Sequence, residues 1–195
     1  MNQMNVWGMT DIGLVRKENQ DAYATAQHEA SGRTVGVVCD GMGGPAGGRV
    51  ASRIAVSVYL EELEKLLTAD QDPQQLLEAS AQAVSLANQA IQAEAERREE
   101  CRNMGTTLVS AISYDAGVVV TNVGDSRAYH ISEDGITRIT KDHSLVESMV
   151  DRGDITEEEA RRHPSRNLIT RALGPDISAD CDGYICPMQA GEYLL

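Results

Sequence analysis

Hydrophobic residues change their spacing twice along this chain. Between residues 33 and 39 they are nearly continuous, with β-branched Val35, Val37 and Val38, and this predicts a strand. A glycine-rich loop follows. Over residues 49–67 the apolar positions are Val50, Ile54, Val58, Leu63, Leu66 and Leu67, the spacing of a helix with one buried stripe. Asp72 and Pro73 open a second helix, Asp as the cap and Pro at the first position, where a missing N–H costs little. It runs to about Arg98 on Leu76, Leu77, Ala83, Val84, Ala87, Ala90 and Ile91. After Asn103 the period drops to two. Strands are predicted over 106–113, 117–122, 127–131 and 136–140, joined as hairpins by turns at 114–117 and 133–135. A helical patch follows over 144–152. Thr156 and Glu159 have the spacing of a capping box, which starts a further helix. Residues 10–23 read as loop and strand ends, and 191–195 begin another strand. Two helices in a row exclude a βαβ repeat. The order predicts an α+β domain on an antiparallel sheet, one domain over 1–195.

Composition narrows this. Of 195 residues 42% are hydrophobic, but Phe is absent and aromatics are 4%, so the core must rest on Val, Ile, Leu, Ala and Met. The net charge of −13 argues against nucleic acid and anionic membrane as partners, since both need basic patches. It suits a site that gathers divalent cations. No apolar run reaches the ~18 residues of a membrane span. The N-terminus lacks the basic-then-apolar pattern of a signal peptide. Cys39, Cys101, Cys181 and Cys186 form no CxxC pair, so zinc is not expected and the thiols read as reduced, in a cytoplasmic protein. Cys39 reads as buried and inert. His28, His130 and His163 share no ligand spacing.

The chemistry gathers at VGVVCDGMGGPAGG, residues 35–48. Gly41, Gly43 and Ala46 fit a loose dinucleotide fingerprint, but that motif needs a second parallel strand after the helix. A phosphate-binding P-loop needs Gly-Lys-Ser/Thr where Gly48-Arg49-Val50 stands. Two readings stay open on the loop alone. Asp40 and exposed carbonyls could hold a hard cation, which takes oxygen ligands, or the glycines could form a plain turn.

Six stretches in order remove that ambiguity. They are Arg16-Lys-Glu-Asn-Gln20-Asp21, Asp40-Gly-Met-Gly-Gly44, Gly105-Thr-Thr107, Gly124-Asp-Ser-Arg127, Asp142-His-Ser144 and Arg166-Asn-Leu-Ile-Thr-Arg171-Ala-Leu-Gly174. Together they resemble the metal-dependent PPM/PP2C serine/threonine protein phosphatases, particularly the small bacterial ones, from about Thr10 to Leu195. The resemblance implies a β-sandwich of two antiparallel sheets flanked by pairs of long helices. It implies hydrolysis of phosphoserine and phosphothreonine by a water activated between two Mn²⁺ or Mg²⁺ ions. Asp40 would bridge those ions and the Gly41 carbonyl would bind one. Asp21 and Gln20 would hold metal-bound waters, with Gln20 in place of a common Glu. Arg16 would grip the substrate phosphate through its planar fork. Asp125, with the Asn167 carbonyl, would serve a third, weaker site. Residues 142–166 would form a helical flap beginning at His143 and Ser144. His143 itself reads equally as part of the start of the flap helix, with Ser144 or Asp142 as cap.

Two departures stand out. Met42 occupies the place of a His that some members use as a general acid, and it cannot donate a proton. The family's remaining metal-binding Asp residues follow the strand that begins at Gly191, and Asp176, Asp180 and Asp182 come too early to replace them. The expectation is therefore a domain without its C-terminal strands, with an exposed apolar edge. Its partners would be phosphorylated proteins and a cognate Ser/Thr kinase. The competing expectation is a catalytically impaired module that binds phosphoproteins or a kinase without turnover.

Overall fold

The computed structural model describes residues 4–195, with all side chains there except those of Pro45 and Ala46. Five strands lie side by side in one antiparallel sheet, in the order β1 (Asp21–His28), β2 (Arg33–Met42), β4 (Leu108–Tyr114), β5 (Gly117–Val123) and β8 (Asp182–Pro187). The two-residue β3 (Gly105–Thr106) pairs with the end of β2. Helices α1 (Gly44–Leu66) and α2 (Pro73–Arg97) cover one face. On the other face lies a small sheet of β7 (Gly135–Arg138), β6 (Tyr129–Ser132) and β9 (Tyr193–Leu194). Short helices α3 (Leu145–Asp151) and α4 (Glu157–Arg162) project from the connection between β7 and β8.

Strict alternation along β2 explains why the helices pack where they do. Val35, Val37 and Cys39 are buried, whereas Val38 and Asp40 between them are exposed. The inward set meets Ala51, Ala55, Tyr59 and Leu63 of α1 and Leu76, Ala83, Val84, Ala87 and Ile91 of α2. Burial raises the Cys39 thiol well above its ordinary value, so Cys39 is inert. Tyr59 fills part of the volume that Phe would otherwise take. Its hydroxyl meets Ser80 at 2.7 Å and Ser110 at 2.6 Å, and Ser80 donates to Thr121 at 2.7 Å. The polar network is thus satisfied within an apolar layer. Arg33 is also buried. It donates to the carbonyls of Thr68, Ala69, Gln71 and Ser113, which ties the α1–α2 connection to the end of β4.

The mixed helix and antiparallel-sheet fold agrees with expectation, and the caps do too. Asp72 and Gln75 form a capping box, as do Thr156 and Glu159, and Ser144 caps α3. Four details differ. Helix α1 starts at Gly44, six residues before the first periodic apolar position, Val50, because glycines 43 and 44 turn the chain with φ of 112° and 90°. Strand β1 overlaps the 10–23 stretch read as loop and strand ends and runs on over 24–28, where no element was expected. As an edge strand with small and polar residues it carries little apolar signal. Strand β8 was not expected either. The strand predicted over 106–113 is broken at Thr107, whose groups are needed elsewhere. Of the helix pairs that the resemblance implied, one long pair, α1 and α2, is present among the described residues.

Candidate active site

Antiparallel pairing of β1 with β2 places Asp21 directly opposite Asp40. Like charges opposite one another in a sheet are destabilising, by up to about 1 kcal/mol. One oxygen of Asp21, Oδ1, is buried without a hydrogen-bond partner. The carboxyl of Asp40 rises from 3.8 to about 6: burial contributes most, then the charge and contact of Asp21, with Asp125 adding to it and Arg16 opposing. Asp40 keeps one side open to a cleft while the rest of its surroundings are protein, which reconciles its exposed surface with that desolvation. Paired carboxylates with an orphaned oxygen form a donor set suited to a hard divalent cation.

The backbone of Asp40 is held from both sides by the Gly105-Thr-Thr107 stretch. Asp40 N–H donates to the Thr107 hydroxyl at 2.9 Å, and Thr107 N–H donates to the Asp40 carbonyl at 2.9 Å. Thr106 Oγ1 donates to the same carbonyl at 3.0 Å. Having accepted from Asp40, the Thr107 hydroxyl still reaches Ser126 Oγ at 2.7 Å, beside Asp125. This is why the predicted strand breaks at Thr107. No alternation pattern could have shown it.

The glycines of the loop have a packing role. A Cβ on Gly41 would lie 2.0 Å from the Gly48 carbonyl oxygen, and one on Gly48 would lie 2.6 Å from the Gly41 carbonyl carbon. The first turn of α1 therefore rests directly on the end of β2, against residues that only glycine can be. Gln20 is turned into the same junction. Its amide donates to the Gly44 carbonyl at 2.8 Å, and its own carbonyl accepts from Gly41 N–H and the Ser52 hydroxyl. Arg49 of α1 pairs with Glu18 at 2.8 Å and so anchors the loop that carries Arg16.

These elements enclose an open cleft of about 780 Å³ lined by Arg16, Gln20, Asp40, Gly41, Met42, Asp125, Asn167 and neighbours. Asp21 sits behind Asp40 rather than on the cleft wall. Burial raises the Asp125 carboxyl, and Asp142 adds to this. Asp142 is itself paired with Arg127 through bonds of 2.6–3.1 Å. The residues expected from sequence thus line one cleft, apart from Asp21, which backs Asp40, and His143 and Ser144, which are buried at the root of α3. Sequence reasoning missed Thr107 and Ser126 as the groups that tie Asp40 to the Asp125 turn, and Asp182, held by Arg171, as the partner of His143. Among the described residues no three Asp, Glu, His or Cys side chains converge as a ligand set.

Comparison with known proteins agrees with this geometry. The family model described as protein phosphatase 2C matches residues 15–185. The serine/threonine phosphatase stp of Listeria innocua is 37% identical over 189 residues, 95% of this chain and 73% of that protein. The serine/threonine protein phosphatase PstP of Mycobacterium tuberculosis is 39% identical over 165 residues, 84% of this chain and 30% of that protein. Among solved structures, a Streptococcus agalactiae serine/threonine phosphatase superposes with a TM-score of 0.87 at 30% identity, covering 95% of this chain and 75% of the other. The serine/threonine phosphatase Stp1 of Staphylococcus aureus gives 0.80 at 36% identity, covering 90% and 68%. Fold and cleft define a phosphatase-like α+β domain with a carboxylate site. The chain belongs to the protein phosphatase 2C family.

Proposed function

We propose that this protein phosphatase hydrolyses phosphoserine and phosphothreonine in proteins with the help of Mn²⁺ or Mg²⁺, two ions at Asp40 and a weaker third beside Asp125. The observation that carries the reading is Asp40 in a cleft that also holds Arg16, with Asp21 opposed to it from behind. When bound, the cations would lower the pKa of a water and offset charge developing on the phosphoryl oxygens. Asp40 would hold them directly, with the Gly41 carbonyl beside it. Asp21 and Gln20 would orient water from behind, and Asp125 and the Asn167 carbonyl would serve the third position. Arg16 is exposed on the cleft wall, and its planar guanidinium can donate to two phosphate oxygens at once. Met42 lines the cleft but offers no proton, so the leaving-group oxygen would take its proton from water. The helical segment 142–166 would act as a flap over the cleft, within a single domain.

Phosphorylated substrates of a cognate Ser/Thr kinase fit this site, in a cytoplasmic signalling role. No helix among the described residues is long and apolar enough to cross a membrane. A second reading, a module that binds phosphoproteins or a kinase without turnover, is favoured by the lack of a third converging carboxylate among the described residues. Hydrolysis of a phosphothreonine peptide decides between them. We expect release of phosphate that requires Mn²⁺, stops with EDTA, and falls at least about a hundredfold in Asp40→Asn, since a cation ligand supplies several kcal/mol to the transition state. Tight peptide binding with no phosphate release would establish the second reading.

A further inference from the structure

The motif Asp142-His-Ser144 has no role in the chemistry above, yet its imidazole is buried and fully engaged. His143 Nδ1 lies 3.0 Å from the backbone nitrogen of Gly124, the residue before Asp125. A backbone N–H can only donate, so Nδ1 is an acceptor and carries no proton. The ring proton therefore sits on Nε2, which faces Asp182 Oδ2 at 3.2 Å. Arg171 Nη1 also lies 3.3 Å from Nε2, but two donors cannot bond to each other. Arg171 instead donates to Asp182 Oδ1 at 3.0 Å. Asp182 is held in place by Arg171 and in turn fixes the tautomer of His143.

The backbone repeats the same connection. His143 N–H donates to the Gly124 carbonyl at 2.9 Å, and the His143 carbonyl accepts from Thr170 N–H at 2.8 Å. Asn122 Nδ2 bridges the carbonyls of Gly124 and Lys141. Gly124 itself has φ of 107°, and a Cβ there would lie 2.5 Å from Thr107 Cγ2. The turn that presents Asp125 is thus pressed against Thr107 on one side and gripped by His143 on the other. The connection that carries Asp125 joins β5 of the large sheet to β6 of the small one, so no ladder holds it. Its position is set by these side chains.

We propose that His143 is a positioning residue. Its Nδ1, locked as an acceptor by Asp182, sets the Gly124–Asp125 turn and so aims the Asp125 carboxylate into the cleft. This rests on the reading of Asp125 as a cation ligand, and the test separates the two. Asparagine places an acceptor near the Nδ1 position, while alanine does not. Wild type, His143→Asn, His143→Ala and Asp125→Asn are titrated with Mn²⁺ by calorimetry, and exchange of the Gly124 amide is followed by NMR. We expect Asp125→Asn and His143→Ala each to weaken the lower-affinity Mn²⁺ event about tenfold, the usual scale for loss of an outer partner. His143→Asn should stay close to wild type, and Gly124 should exchange faster in His143→Ala alone. Unchanged Mn²⁺ affinity in His143→Ala, or no rescue by Asn, overturns the proposal. If Asp125→Asn titrates like wild type, the cation reading of Asp125 fails, and Gly124 exchange by itself then decides the clamp. Should His143→Ala not fold, Asp182→Ala leaves the imidazole in place but frees its tautomer. Faster Gly124 exchange is expected there, and unchanged exchange counts against the proposal.

Discussion

Asp40 and Asp125 face the same cleft but are placed by different means. Asp40 stands on β2, in register with β1 and braced by the Thr106–Thr107 backbone and hydroxyls. Asp125 stands on a turn between β5 and β6, with no ladder bonds of its own, and depends on His143, Asn122 and the Thr107–Ser126 hydroxyl contact. The ladder-placed carboxylate is costly to move because many backbone bonds share the load. The turn-placed one rests on a few side-chain bonds, so loss of any one of them moves it more easily. It also leaves the turn beside the root of the 142–166 segment, so displacement of that segment would be felt at Asp125 before Asp40.

Four substitutions or conditions probe this contrast. The largest effect is expected at the ladder side. Gly41→Ala puts a methyl group into the Gly48 carbonyl, so the strand end and helix must part, at about 3 kcal/mol, the upper end for overpacking. Chemical denaturation reads this directly, and a loss below 1 kcal/mol would mean that the junction is looser than it looks. Next is Thr107→Val, which keeps the shape but removes the hydroxyl serving both Asp40 and Ser126. A cost of about 1–2 kcal/mol is expected for the unpaired Asp40 N–H, with weaker Mn²⁺ binding at both carboxylates. If only one site weakens, the two carboxylates are not coupled through Thr107. Smaller again is Asp21→Asn. Without metal it should stabilise the protein by about 0.5 kcal/mol, because it relieves a like-charge pair, whereas with Mn²⁺ present it should lower stability. Thermal melts with and without Mn²⁺ show whether the sign reverses.

The last effect, of similar size, is a pH dependence. In the metal-free fold Asp40 titrates near 6 rather than 3.8, so between those values the folded state binds more protons than the unfolded chain. Stability from this group is therefore greatest at the acidic end and is lost as pH rises from about 4 to 6. Solvent on the cleft side holds the effect below about 1 kcal/mol. The difference between wild type and Asp40→Asn across that range isolates it, and a flat difference would contradict the shift.

Much of the fold was legible from spacing. Helix α2, its Asp72 cap and the β4–β5 and β6–β7 hairpins follow from local periodicity and turn residues, which depend on neighbours a few positions away. Strand β1 was not, because Asp21–His28 is an edge with small and polar residues whose pairing, rather than composition, makes it a strand. The early start of α1 was hidden for a related reason. Its first turn is held by close contact with Gly41 and Gln20, which periodicity cannot register.

The sequence by itself determined the family and the caps at Asp72, Ser144 and Thr156, since these depend on residue type and order. Only the tertiary structure decided that Asp21 opposes Asp40, that Thr107 ties Asp40 to the Asp125 turn, and that His143 grips Gly124 with one nitrogen while facing Asp182 with the other. The reason is physical. Strand register and buried hydrogen bonds join residues far apart in the chain, and their geometry exists only once the sheet has paired and the helices have closed over it.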